Sequence, residues 1–187
     1  MNMTGIIVLV VIVLLVVWCI SIYNNLVKLR NNRENAFANI DVQLKQRHDL
    51  VPQLVGAVKG YADHEKDVFM RVTEARSAAM SATNIDDKIQ AENALTSALS
   101  GLKVSLEAYP ELKANENFLK LQDQLVDTEE KLQASRRFYN AGARDFNTRI
   151  IQFPVNIFFG SRFEKYTYFT VDENEKEKLD KAPNVEF

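Results

Sequence analysis

Residues 5–23 read GIIVLVVIVLLVVWCISIY, and the first 27 residues carry no charged side chain. A helix needs about 20 apolar residues to cross a hydrocarbon core, so this run is long enough to span a bilayer. A cleaved signal peptide is the competing reading. It would bring a basic n-region, a shorter apolar core and a small-x-small cleavage site. Met1–Gly5 hold no Lys or Arg, and the run closes on Ser21-Ile22-Tyr23-Asn24. A retained anchor over residues 1–27 is therefore expected, with Trp18 and Tyr23 near its far end at the depth where aromatic side chains favour a membrane interface.

The flanks set the expected orientation. Lys28, Arg30 and Arg33 follow the run, and only the amino terminus precedes it. The positive-inside rule then places the N-terminus outside and the rest of the chain in the cytoplasm, against the counterweight of Glu34 and Asp41. Lys plus Arg total 23 and Asp plus Glu total 25, so no basic stripe points to nucleic acid. Six Gly and four Pro in 187 residues leave little material for turns, which favours a few long helices over many strands. Cys19 is the sole cysteine and lies inside the apolar run, where a lipid-facing bystander is favoured over an acylation site.

Beyond the run, Leu26, Leu29, Arg33, Phe37, Ile40 and Leu44 recur at helical spacing. No breaker separates them from the apolar run, so one rod from Gly5 to Arg47 is expected, roughly 60 Å long at 1.5 Å per residue. Pro52 cannot donate to a helical ladder and disfavours α geometry at Val51. A hairpin, with Asp49 capping a new helix, and a kinked continuous helix both fit these residues. The hairpin is favoured because the apolar faces on either side need a packing partner.

A second helix is read from Leu54, Val55, Val58, Tyr61, Ala62, Val68, Phe69, Val72, Ala75 and Ala79, running to about Ala82. Asn84 reads as an N-cap, with Asp86 and Asp87 in the first turn of a third helix that carries Ile85, Ile89, Leu95, Leu99, Leu102 and Leu106. That helix stops at Tyr109-Pro110. Asn115 reads as the cap of a fourth, with Phe118, Leu121, Leu125, Leu132, Tyr139, Phe146 and Ile150 on one face. The expected fold is all-α: an N-terminal transmembrane helix followed by an up-and-down, antiparallel four-helix bundle of long helices over residues 28–150. An open array or a long coiled coil is the alternative. Residues 151–171 form an aromatic-rich segment, and residues 172–187 a polar, acidic tail expected to be disordered.

Few groups here suggest chemistry. A di-iron bundle needs Glu-x-x-His pairs, but Lys45 and Tyr61 stand three residues before His48 and His64. No zinc motif, phosphate loop or serine–base pairing is recognisable. No enzyme activity, metal or cofactor is expected. Charges do fall within apolar stripes: Glu65, Arg76, Glu92, Glu129 and Arg136. They are candidates for a buried ion network, since an unpaired buried charge costs several kcal/mol. The plainer readings are stripe-edge residues that reach water or a network that only sets helix register. In the aromatic segment, Phe153, Ile157, Phe158, Phe159, Phe163, Tyr166, Tyr168 and Phe169 are candidate interaction or membrane-surface contacts. An apolar flap over the end of the bundle is the plainer reading there.

The segments YNNLVKLRNNRENAFANIDVQLKQRHDLVPQLVGAVKGYADHE, EAYPELKANENFLKLQDQL, TEEKLQASRRFYN and FNTRIIQFPVNIFF resemble the LemA family. Phe37 stands where the family commonly has Trp, and Phe146 where it commonly has Tyr. The resemblance implies a helical domain on a single N-terminal anchor in a bacterial inner membrane, with relatives among magnetosome-membrane proteins and others encoded near membrane proteases. It carries over no catalytic residue. The function expected first is a non-enzymatic scaffold that associates with itself and with membrane lipid, organising or remodelling the membrane. An adaptor for a membrane protease or other envelope protein ranks second, and a sensor or enzyme built on the Glu65, Glu92, Glu129 and Arg136 cluster third.

Overall fold

In the computed structural model, residues 2–61, 65–159 and 162–170 are described. Among them there is no strand. The helices are α1 (Met3–Val58), α2 (Lys66–Ser81), α3 (Ile85–Leu106), the short α4 (Pro110–Lys113), α5 (Glu116–Ile151) and the short α6 (Val155–Phe158). The tail from residue 172 onward and His64 lie outside the described residues. Contacts group the chain into two units, Met1–Asn39 with Ser135–Tyr168 and Ile40–Ala134 with Phe169–Phe187.

α1 corrects the expectation of a hairpin at Pro52, which lies inside one unbroken helix. A proline within a helix removes the amide that would bond to the carbonyl of residue i−4 and crowds that carbonyl. Here the carbonyl is that of His48, and the Arg76 side chain takes it, Nε donating to His48 O at 2.7 Å. The proline ring itself is exposed, so nothing packed is displaced. The chain reverses instead after Val58, and the stripe expected as one helix from Leu54 to Ala79 is divided between the end of α1 and α2. Asn84 caps α3 as the sequence suggests, its Oδ1 accepting from Asp87 N at 2.8 Å. Asn115 caps α5, accepting from Phe118 N at 3.1 Å.

In the unit built on Ile40–Ala134, Val51, Leu54 and Val58 of α1 share one core with Phe69, Val72 and Ala79 of α2. Leu95, Leu102 and Leu106 of α3, Leu112 of α4 and Phe118 of α5 complete it. Polar pairs fix the helix directions. Asp41 meets Lys88 and Arg47 meets Glu92, so α3 runs with α1, whereas α2 starts shortly after α1 ends at Val58 and reaches back to His48 through Arg76, so it runs back along α1. In the other unit α5 runs against α1: Tyr139 lies against Phe37, and Phe146 and Ile150 pack with Leu26 and Ile22. The two helices come close at Gly142, where a Cβ would sit in van der Waals contact, 3.4 Å from Arg33 Cα.

The Pro52–Arg76 relation is testable. Arg76→Ala leaves the His48 carbonyl without its donor and is expected to destabilise the full chain by about 1–2 kcal/mol. In a Pro52→Ala background the restored amide takes that carbonyl, and the cost of Arg76→Ala is expected to fall by about 1 kcal/mol. Urea unfolding of the four proteins in detergent reads the difference, and equal costs in both backgrounds contradict the account.

Candidate functional site

The face of α1 that continues Ile40 and Leu44 reaches Arg47 and His48 before it returns to Val51 and Leu54. Two polar residues are thereby carried into the core: Arg47 is 1% exposed and Glu92 of α3 is 0% exposed. Burial of an unpaired charge would be prohibitive, so each must find partners. Arg47 Nη1 lies 3.3 Å from Glu92 Oε2, and Arg47 Nη2 donates to Thr96 Oγ1 at 2.7 Å. The Thr96 hydroxyl in turn donates to the Glu92 carbonyl at 3.0 Å, one turn earlier on α3. His48 Nε2 and Glu92 Oε1 are 2.7 Å apart, so both carboxylate oxygens are engaged. Glu129 of α5 completes the cluster from its open side, with Oε2 at 3.6 Å from Arg47 Nη1.

Of the five candidate network residues, Glu92 and Glu129 converge, and they do so on Arg47. Arg76 serves the same turn of α1 through the His48 backbone. Glu65 stands apart, accepting from the Tyr109 hydroxyl at 3.3 Å. Partial desolvation, helped by the neighbouring Glu65 charge, raises the Tyr109 phenol above its ordinary pKa. Arg136 belongs to the other unit. Arg47 and His48, the hub of the cluster, were not singled out from sequence. Their signal was the spacing Leu44, Arg47, His48, Val51, which the expected break at Pro52 interrupted.

Arg47, Thr96 and Glu129 also line a groove of about 410 Å³ whose apolar walls include Leu54, Leu102 and Phe118. Among the described residues no three His, Cys, Asp or Glu side chains gather so as to hold a metal ion.

The aromatic segment divides into inward and outward members. Phe163 and Tyr166 lie on Phe146, with ring centroids 5.6 and 4.9 Å away. The Arg33 guanidinium sits 3.8 Å from the centre of the Tyr166 ring, a cation–π contact. Asn147 holds the Tyr166 backbone from both sides: its Nδ2 donates to Tyr166 O at 2.9 Å and its Oδ1 accepts from Tyr166 N at 2.8 Å. The same amide nitrogen reaches the Tyr168 hydroxyl at 3.2 Å, and the Tyr139 hydroxyl donates to Thr167 O at 3.0 Å. Phe159 lies against Tyr23, and Phe169 is buried. Phe153, Ile157 and Phe158 remain exposed.

The model of the LemA family matches residues 36–187. This chain belongs to the LemA family. It is 27% identical to Protein LemA of Metamycoplasma hominis over 161 residues, covering 84% of this chain and 72% of that protein. It is 22% identical to Magnetosome protein MamQ 2 of Paramagnetospirillum magneticum over 174 residues, which cover 79% of this chain and 64% of that relative. A similar match, at 21% identity, is to Magnetosome protein MamQ of Magnetospirillum gryphiswaldense. The matched family region contains Arg47, Glu92, Glu129 and Asn147, whereas the apolar run of α1 precedes it. In this LemA-family chain that run is a candidate membrane span, part of a helix long and apolar enough to cross a bilayer.

Glu92 and Glu129 touch the same guanidinium from different degrees of burial, and their removal separates the two contributions. Glu92→Gln strips the buried Arg47 of its enclosed counter-charge and is expected to cost about 3 kcal/mol. Glu129→Gln removes a longer, partly solvated contact and is expected to cost under about 1 kcal/mol. Chemical unfolding of each variant checks the ranking, and equal costs contradict it.

Proposed function

We propose that this LemA-family protein is a non-enzymatic, single-pass membrane scaffold that assembles through its helical domain and organises or reshapes the bilayer beneath it. The observation that carries this reading is α1. One continuous helix supplies the apolar run and then, from Ile22 onward, the buried face of the packed domain. Contacts between domains of neighbouring copies would therefore bear on the packing of their anchors. In this reading the run is retained, the N-terminus lies outside, and the domain faces the cytoplasm of a bacterial inner membrane, in line with Lys28, Arg30 and Arg33 at its exit. Within the unit built on Ile40–Ala134, the directions of α1, α2 and α3 support an up-and-down arrangement of helices.

Two further considerations support the scaffold. The buried polar groups Arg47, His48, Glu92 and Thr96 pair with one another across adjoining helices, which suits a role in setting helix register. The relatives named as magnetosome proteins belong by name to a membrane-bounded structure, which suits a role in membrane organisation. A second reading, an adaptor for a membrane protease or another envelope protein, draws on the groove beside Arg47 and Glu129, which is wide enough to receive a side chain or short segment.

The test is the particle mass of the full chain extracted from native membrane in mild detergent. Assemblies of several copies that persist at micromolar concentration are expected. A monomer under those conditions contradicts the scaffold.

A further inference from the structure

From Met3 to Trp18 every side chain of α1 is exposed, and Ile22 is its first buried residue. The end of α5 comes to this same level. Ile150 of α5 and Val155 of α6 pack in one cluster with Ile22 and Leu26, and the Phe159 ring centre lies 6.0 Å from that of Tyr23. The corner between α5 and α6 is thus fixed beside the residues at which the apolar run ends.

Four large apolar side chains at this corner are not packed into the protein. Ile151 is 57% exposed, Phe153 76%, Ile157 67% and Phe158 58%. They contrast with Phe159, Phe163 and Phe169, which turn inward in the same stretch of chain. Polar Gln152 and Asn156 are exposed among them. Charged side chains follow: Arg162, Glu164 and Lys165 are exposed just beyond the corner and Lys28 is exposed on α1 past Tyr23, three bases to one acid. Apolar and aromatic groups bordered by basic ones are what a membrane interface favours.

We propose that the α5–α6 corner is a lipid-binding wedge. Ile151, Phe153, Ile157 and Phe158 enter the leaflet beside the exit of α1, and Lys28, Arg162 and Lys165 meet anionic headgroups at its surface. The occupant is lipid because of position. A bilayer that covers α1 as far as Tyr23 has its boundary at Ile150, Val155 and Phe159, so the exposed side chains from Ile151 to Phe158 face acyl chains and headgroups. The wedge lies in one leaflet only, so each chain takes up more area on that side of the membrane than on the other. The inference rests on the proposed retention of α1 as a span, and its test reads the two separately.

The experiment uses the full chain carrying Cys19→Ser, reconstituted in phosphatidylcholine–phosphatidylglycerol nanodiscs, with one spin label at a time. Ile157→Cys reports the wedge, Leu14→Cys the span, and the exposed Val104→Cys the aqueous domain. Collision rates with oxygen, which concentrates in the bilayer, are compared with those of a water-soluble nickel chelate. At residue 157 the ratio is expected to resemble that at residue 14 and to exceed that at residue 104 at least threefold. A nickel-accessible label at 157 with a lipid-like label at 14 overturns the wedge and leaves the span standing. A label at 157 shielded from both reagents also overturns it, because protein then covers the corner. An aqueous label at 14 overturns both readings.

Discussion

α1 remains helical through Pro52 because Arg76 takes the carbonyl that the proline leaves without an amide, that of His48. That turn of α1 is where three other helices of the unit built on Ile40–Ala134 attach to it. The turn of α1 that receives Arg76 also sends Arg47 and His48 into the core, where both meet Glu92. α2 is thus tied to α1 through a backbone atom, α3 through a buried carboxylate, and α5 through Glu129. Were α1 to reverse at Pro52, Arg47 and His48 would lie at a chain reversal, and the apolar face from Ile40 to Val58 would be cut in two.

In the function proposed here, the charges in this core serve to fix helix register more than to add stability. Bringing a guanidinium and a carboxylate out of water costs several kcal/mol, which their mutual attraction and the added hydrogen bonds offset only when the geometry is good. That condition ties the register of α1 to that of α3, because a slide of one turn would separate Arg47 from Glu92 and strand both. Apolar contacts such as those of Leu54 and Leu102 would tolerate such a slide far better. An arrangement in which Arg47, His48, Glu92 and Thr96 pair with one another suits a framework for assembly, which is the function proposed here.

Local signals in the sequence were legible where the physics was local. Asn84 and Asn115 declare themselves as caps because a short polar side chain before an apolar stripe has little else to do, and the uncharged run from Gly5 to Tyr23 identifies a candidate span by length alone. The path through Pro52 was not legible, because its remedy lies on another helix, at Arg76. Reading a break there also hid Arg47 and His48, whose spacing makes sense only if α1 continues. In the aromatic segment, composition announced a cluster of rings but not their direction. What separates Tyr166 from Phe158 is the amide of Asn147 and the guanidinium of Arg33, both remote in sequence.

The continuity of α1 at Pro52 is tested most directly by a distance across it. Spin labels at Val42→Cys and Gly56→Cys, both exposed positions, in the full chain carrying Cys19→Ser, flank the proline within one unit. A continuous helix separates the two backbones by about 21 Å. A hairpin at Asp49–Pro52 would bring them to about 10 Å, the spacing of packed helices. A single pulsed-dipolar distance near the longer value is the predicted result, and a population centred on the shorter one would contradict it.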